Sequence, residues 1–85
     1  MLNMNKNTEN FKHRTDRLGN TRIVEILHDP DWKDGWPEYY AQIRGGAPVK
    51  TMNGGIVRPI VAVGSDCDPD KAADIAIRDF NTRVL

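Results

Sequence analysis

Cys67 is the one cysteine of the chain and stands directly before Asp68-Pro69, a pair suited to starting a helix. A thiol at a helix N-terminus gains thiolate character from the dipole. Here Asp66 and Asp68 flank it, and their negative charge opposes that gain, so Cys67 reads as a passive thiol. The alternating carboxylates of Asp66, Asp68 and Asp70 begin like a calcium loop. Such a loop needs glycine at its sixth position and a bidentate glutamate at its twelfth, and those places hold Lys71 and Ile77. Read as a helix start, the same run fits at every residue. His28 has Asp29 and Asp31 beside it, but the other soft ligands, His13 and Cys67, lie far away in sequence and show no zinc spacing. Gly64-Ser65-Asp66 lacks the second glycine of a nucleophile elbow. The pairs Gly45-Gly46 and Gly54-Gly55 lack the Lys-Ser/Thr of a phosphate loop and the spacing of a dinucleotide fold. No catalytic set emerges, and the expectation is a protein that is not an enzyme and carries no metal and no cofactor.

The chemistry on offer is that of recognition. Four of the six aromatics, Trp32, Trp36, Tyr39 and Tyr40, fall within nine residues, interleaved with Asp31, Lys33, Asp34 and Glu38. Trp and Tyr anchor interfaces because each buries a large area and keeps a polar handle. Trp32, Asp34, Trp36, Glu38 and Tyr40 are therefore the candidate partner-binding residues. Against this stands the scarcity of core material, which would have at least one tryptophan pinning its loop onto the interior. Tyr39 and Tyr40 point to opposite faces of a strand, one buried and one presented. An alternative is nucleic-acid binding by Lys12, Arg14, Arg17, Arg44, Lys50 and Arg58, which could follow a phosphate backbone. Twelve basic and twelve acidic residues cancel, which argues against a binder held by global charge and against a wholesale acidic mimic of DNA.

The elements that must position these residues belong to one small domain. The chain has 85 residues, 39% of them apolar and 28% charged. Folding at this size hides only roughly 60% of the surface exposed by the unfolded chain, so the core is thin. There is no apolar run of membrane-spanning length and no secretory h-region, and a lone cysteine cannot form an internal disulfide. A reducing cytosol fits, and no membrane is implied.

Residues 1–20 form a separate regime, an asparagine-rich leader followed by a basic stretch. They read as a disordered or partly helical arm that ends at Gly19-Asn20. Residues 21–85 read as a single β-β-β-β-α domain. Residues 23–27 are β-branched and too short for a helix; residues 39–44 alternate Tyr39, Ala41 and Ile43 against Tyr40, Gln42 and Arg44. Between them, Asp34-Gly35 marks the turn of a loop over 29–36. Residues 49–52 and 56–63 read as a hairpin, with Asn53-Gly54 supplying a type I′ turn and Pro59 confined to an edge or bulge.

Asp68 caps a helix of about 15 residues whose inner face carries Ala72, Ala73, Ala76, Ile77, Phe80 and Val84. The expected fold is α+β: an antiparallel three- to four-stranded meander with one C-terminal helix on one face and a flexible N-terminal arm. One helix covers one face. Apolar groups on both faces of residues 23–27 therefore point to a homodimer or to a partner's surface.

Ile60-Val61-Ala62-Val63-Gly64-Ser65-Asp66, followed by Asp70-Lys71-Ala72-Ala73, resembles the strand, corner and alanine-rich helix of several small phage-encoded proteins, the anti-CRISPR inhibitors of type I systems among them. The order of elements also resembles the antitoxin half of HicB-type modules. The resemblance covers residues 21–85 as architecture and matches residue by residue only at the corner and helix start. It implies a phage protein of the bacterial host cytosol that blocks a defence nucleoprotein complex by occupying its surface. A small nucleic-acid-binding or antitoxin-like regulatory module is the alternative.

Overall fold

The computed structural model describes residues 7–85, with the backbone alone for residues 7–9. Six strands and one helix follow in order: β1 (Asn7–Thr15), β2 (Thr21–His28), β3 (Tyr39–Arg44), β4 (Val49–Lys50), β5 (Ile56–Val57), β6 (Ile60–Asp66) and α1 (Pro69–Arg83). Four of the strands make one antiparallel sheet in the order β1-β2-β3-β6, and β4 and β5 pair as a separate ribbon between β3 and β6. The helix lies on one face of the sheet. An antiparallel meander with a C-terminal helix is thus the observed fold, but its strands are not all those expected. Among the described residues no helix is long and apolar enough to cross a membrane.

The first correction concerns the arm. Residues 7–15 are neither helical nor loose; they pair with β2 from Asn10 opposite Ile26 to Thr15 opposite Thr21. Residues 1–6 of the expected leader lie outside the described residues. The strand is hard to see in sequence because its inward positions, Lys12 and Arg14, are basic. Each is matched on the helix: Lys12 Nζ lies 3.0 Å from Asp70, and Arg14 lies 3.1 Å from Asp70 and 2.8 Å from Asp74. Ion pairs stand where apolar contacts were looked for. Lys12 and then Arg14 hold the Asp70 carboxyl below its ordinary range.

Asp16 organises the β1–β2 turn. Its carboxylate accepts from the backbone N–H groups of Leu18 and Asn20 and from Arg22 Nε at 2.8 Å, and it is almost wholly buried. Arg22 in turn lies over the Phe80 ring, 4.7 Å from its centre, so the turn is tied to the C-terminal half of α1. Burial pushes the Asp16 carboxyl up, but the Arg22 and backbone hydrogen bonds outweigh it and leave it below its ordinary 3.8.

Second, β4 and β5 are two residues each, and the bend between them is not type I′. Gly54 has a positive φ of 86°, while no residue other than glycine does, so Asn53 does not. Thr51 O accepts from Gly54 N–H and Thr51 N–H donates to Gly55 O, which makes a three-residue loop with a left-handed glycine at its end. Pro59 precedes β6, an edge strand, where its missing N–H leaves no gap in the ladder.

The core is Val24, Ile26, Ala41, Ile43 and Ala62 from the sheet, closed by Ala72, Ala73, Ala76, Ile77 and Phe80 from the helix. Val84, expected inside, is the exposed C-cap, and Leu85 packs against the core instead. At the helix start the Asp68 side chain accepts from Asp70 N–H and Lys71 N–H with Pro69 in the first turn, as its residue types require. Five of the ten core residues are alanines, and the closest approach of the two layers is at Gly64. A Cβ there would stand 2.5 Å from Ala72 O and 2.6 Å from Ala76 N, both backbone atoms of α1.

Two outcomes are expected. Gly64→Ala forces the helix off the sheet and lowers the urea-unfolding free energy by about 1–3 kcal/mol or more, the range of overpacked cores. For Asp16, a carboxyl lowered in the folded state adds stability above its unfolded value, and that stability is lost as pH falls through the folded value. Asp16→Asn is therefore less stable than the wild type at neutral pH, and thermal melts show the gap narrowing as pH falls below the ordinary carboxyl value of 3.8 and on through the lower folded value.

Candidate functional site

The segment between β2 and β3 is closed at its base. Asp29 N–H donates to Glu38 O at 3.0 Å, and His28 Nε2 meets Glu38 Oε2 at 2.9 Å. The His28 ring also packs on Tyr39 with 5.0 Å between centres, and Tyr39 reaches the edge of the core. Just inside the base, buried Asp29 takes Asp31 N–H on its carboxylate and Trp32 N–H on its carbonyl, and so starts the turn. A second turn, from Lys33 O to Trp36 N–H, has Gly35 at a φ of 88°, which only glycine adopts without strain. The Asp-Gly signal in the sequence is borne out there.

These constraints present the tryptophans rather than bury them. Trp32 is 40% and Trp36 53% exposed, and neither belongs to the core. The expectation that one would pin the loop to the interior is corrected: the interior is filled by five alanines with Val24, Ile26, Ile43, Ile77 and Phe80, and both indoles stay outside it. The loop is held by its own atoms instead. Trp32 Nε1 donates to Trp36 O at 2.8 Å, Lys33 Nζ lies 5.4 Å from the centre of the Trp36 ring, and Cys67 Sγ points at Trp36 O from 3.8 Å.

Of the candidate partner-binding residues, Trp32, Asp34 and Trp36 share the exposed part of this loop. Glu38 sits half-buried at its base as the latch to His28, and Tyr40 is half-buried on the sheet face opposite the helix, next to Ala41, which faces the core. His28, Asp29 and Asp31 are used by the loop itself. Among the described residues no three His, Cys, Asp or Glu side chains are grouped to hold a metal ion. Cys67 is an exposed thiol.

The six basic residues of the nucleic-acid alternative are not brought to one surface. Lys12 and Arg14 face the helix and are engaged by Asp70 and Asp74. Arg44 lies on the opposite sheet face and donates to Arg58 O, while Arg58 donates to Gly46 O; these bonds brace the root of the β4–β5 ribbon. Lys50 is on that ribbon and Arg17 in the β1–β2 turn. Sequence reasoning missed Phe11, which the strand places on the uncovered sheet face; its signal was hidden because the arm was not read as a strand.

Glu38→Ala removes the latch. Hydrogen exchange should then quicken at the amides of residues 29–36 while β2, β3 and α1 keep their protection, and stability should drop by about 0.5–1.5 kcal/mol, the size of one such bond. No family model, curated protein or solved structure matches the chain.

Proposed function

We propose that the chain is a non-enzymatic binding protein that docks its 29–38 loop onto a macromolecular partner. The observation that carries this reading is the pair of exposed tryptophans on a loop closed at its base. Two indoles left in water by a protein short of core material represent a large apolar area available for burial on contact. The closed base and internal bonds hold that area in one arrangement, which lessens the ordering cost of association. Asp31 and Asp34 are exposed around the indoles, with Lys33 between them. This pattern suits a partner pocket that is apolar at its centre and mainly basic at its rim.

The partner suggested by the architectural resemblance is a bacterial defence complex of the type I CRISPR class, whose protein surfaces are built to hold nucleic acid and are basic. Occupation of such a surface would block the complex without turnover. Tyr40 flanks the loop on the adjoining sheet face and extends the contact.

Binding of the purified protein to a purified type I interference complex, followed by biolayer interferometry, tests this. The wild type should bind with one-to-one saturation, and Trp36→Ala with Tyr40→Ala should weaken binding by about 30-fold or more while unfolding stays cooperative, as expected for anchors worth at least ~2 kcal/mol. No binding by the wild type rules out the target class. Unchanged binding by the folded double variant rules out the loop.

A further inference from the structure

We propose that the sheet face left uncovered by the helix is the interface of a homodimer, a second surface that adjoins the 29–38 loop at Tyr40. Val24 and Ile26 point at the helix, so Ile23, Glu25 and Leu27 point away from it. Register carries that face across the sheet: Phe11 lies opposite Glu25, Glu25 opposite Gln42, and Gln42 opposite Val63. Phe11 and Ile23 are each 59% exposed and Val63 is 54% exposed. The face toward the helix buries Val24, Ile26, Ala41, Ile43 and Ala62, whereas this one carries large apolar side chains in water. A hollow of about 290 Å³ on this face is lined by Phe11, Ile23, Gln42 and Arg44 among others. In a twofold arrangement each copy offers the same exposed Phe11 and the same hollow.

Charge and size favour a second copy as the occupant. The charged strand residues placed on this face, among the described side chains, are Glu25 and Arg44, one of each sign. Within the chain Arg44 Nε lies 3.9 Å from Glu25, which also accepts from Gln42 Nε2 at 2.8 Å, so the two charges offset each other locally and the face meets its own copy without like-charge repulsion. A strongly acidic or basic partner would find no matching field. Strands of nine, eight, six and seven residues make a face of about 19 by 23 Å at the usual rise and strand spacing. Two such faces amount to roughly 900 Å² in projection, close to the ~1,000 Å² of a specific interface. Stacking at about 10 Å gives a helix–sheet–sheet–helix sandwich. Edge pairing through β6 is obstructed, because Val63 N–H is already taken by the Asp79 carboxylate at 3.0 Å.

Sedimentation equilibrium of the full chain over a roughly hundredfold range of concentration tests the interface. The wild type should fit a monomer–dimer equilibrium. Ile23→Lys and Val63→Lys, which place an unpaired charge on an inner strand and on an edge strand of the face, should each raise the dimer dissociation constant by at least ~100-fold. Circular dichroism and cooperative melting check that the variants fold. If the lysine variants do not fold, Val63→Thr, which keeps the β-branch, should still raise the constant. A wild type that is monomeric throughout overturns the proposal, as does a folded variant whose dissociation constant is unchanged.

Discussion

The approach of α1 to the sheet at Gly64 is the constraint on which the molecule turns. The helix backbone at Ala72 and Ala76 sits so close that not even a methyl group fits between them and β6. Ala41, Ala62, Ala72, Ala73 and Ala76 keep the rest of the interlayer space narrow. Close packing at this spacing gives dense dispersion contact, but the large apolar side chains inside are few: Val24, Ile26, Ile43, Ile77 and Phe80. Tyr39, Val61 and Leu85 pack at the margin of this core, and other bulky residues stand outside it. Phe11, Ile23 and Val63 lie on the far side of the sheet, Val49, Ile56 and Val57 on the ribbon, Leu18 in the β1–β2 turn, and Trp32 and Trp36 on the loop after β2.

A core so thin leaves part of the holding to polar contacts, and these lie at the margins of the helix. Lys12 and Arg14 clamp β1 to Asp70 and Asp74, and Asp79 takes the N–H of Val63 on β6 while pairing with Arg83. Exposed ion pairs contribute little singly, roughly 0–1 kcal/mol each. Their greater effect is on register: they fix which rung of each edge strand faces which turn of the helix. Asp16 differs because it is buried and fully occupied, which makes the β1–β2 turn and the Arg22–Phe80 stack one unit. Among the described residues no buried side-chain nitrogen or oxygen lacks a partner.

Much of this was legible in the residues and some was not, for identifiable reasons. The helix was readable from end to end because its signals are local: Asp68-Pro69 at the start and apolar positions at helical spacing thereafter. β2 and β3 were readable from β-branched and alternating runs. β1 was not, because its inward side chains are cations whose partners lie more than fifty residues away, and no local pattern reports that. The ribbon was overestimated for a similar reason. Residues 49–52 and 56–63 read as a hairpin, but β6 spends its pairing on β3, which leaves β4 and β5 two residues each. Gly64 reads as a strand end, and only the packed helix shows that it is a contact point. For the loop, the aromatic cluster was plain, while the exposure of both indoles showed only in the folded chain.

The functional account rests on that last point, that the indoles are presented to solvent by the free protein instead of serving its interior. Acrylamide quenching of tryptophan emission, with Trp32→Phe and Trp36→Phe read separately, measures this without a partner. Both indoles, 40% and 53% exposed, should emit at longer wavelength than buried indoles and be quenched by acrylamide already in the native state, with a further gain on unfolding. Short-wavelength emission protected from acrylamide until the fold melts, from both indoles, would place them in the core and contradict the account.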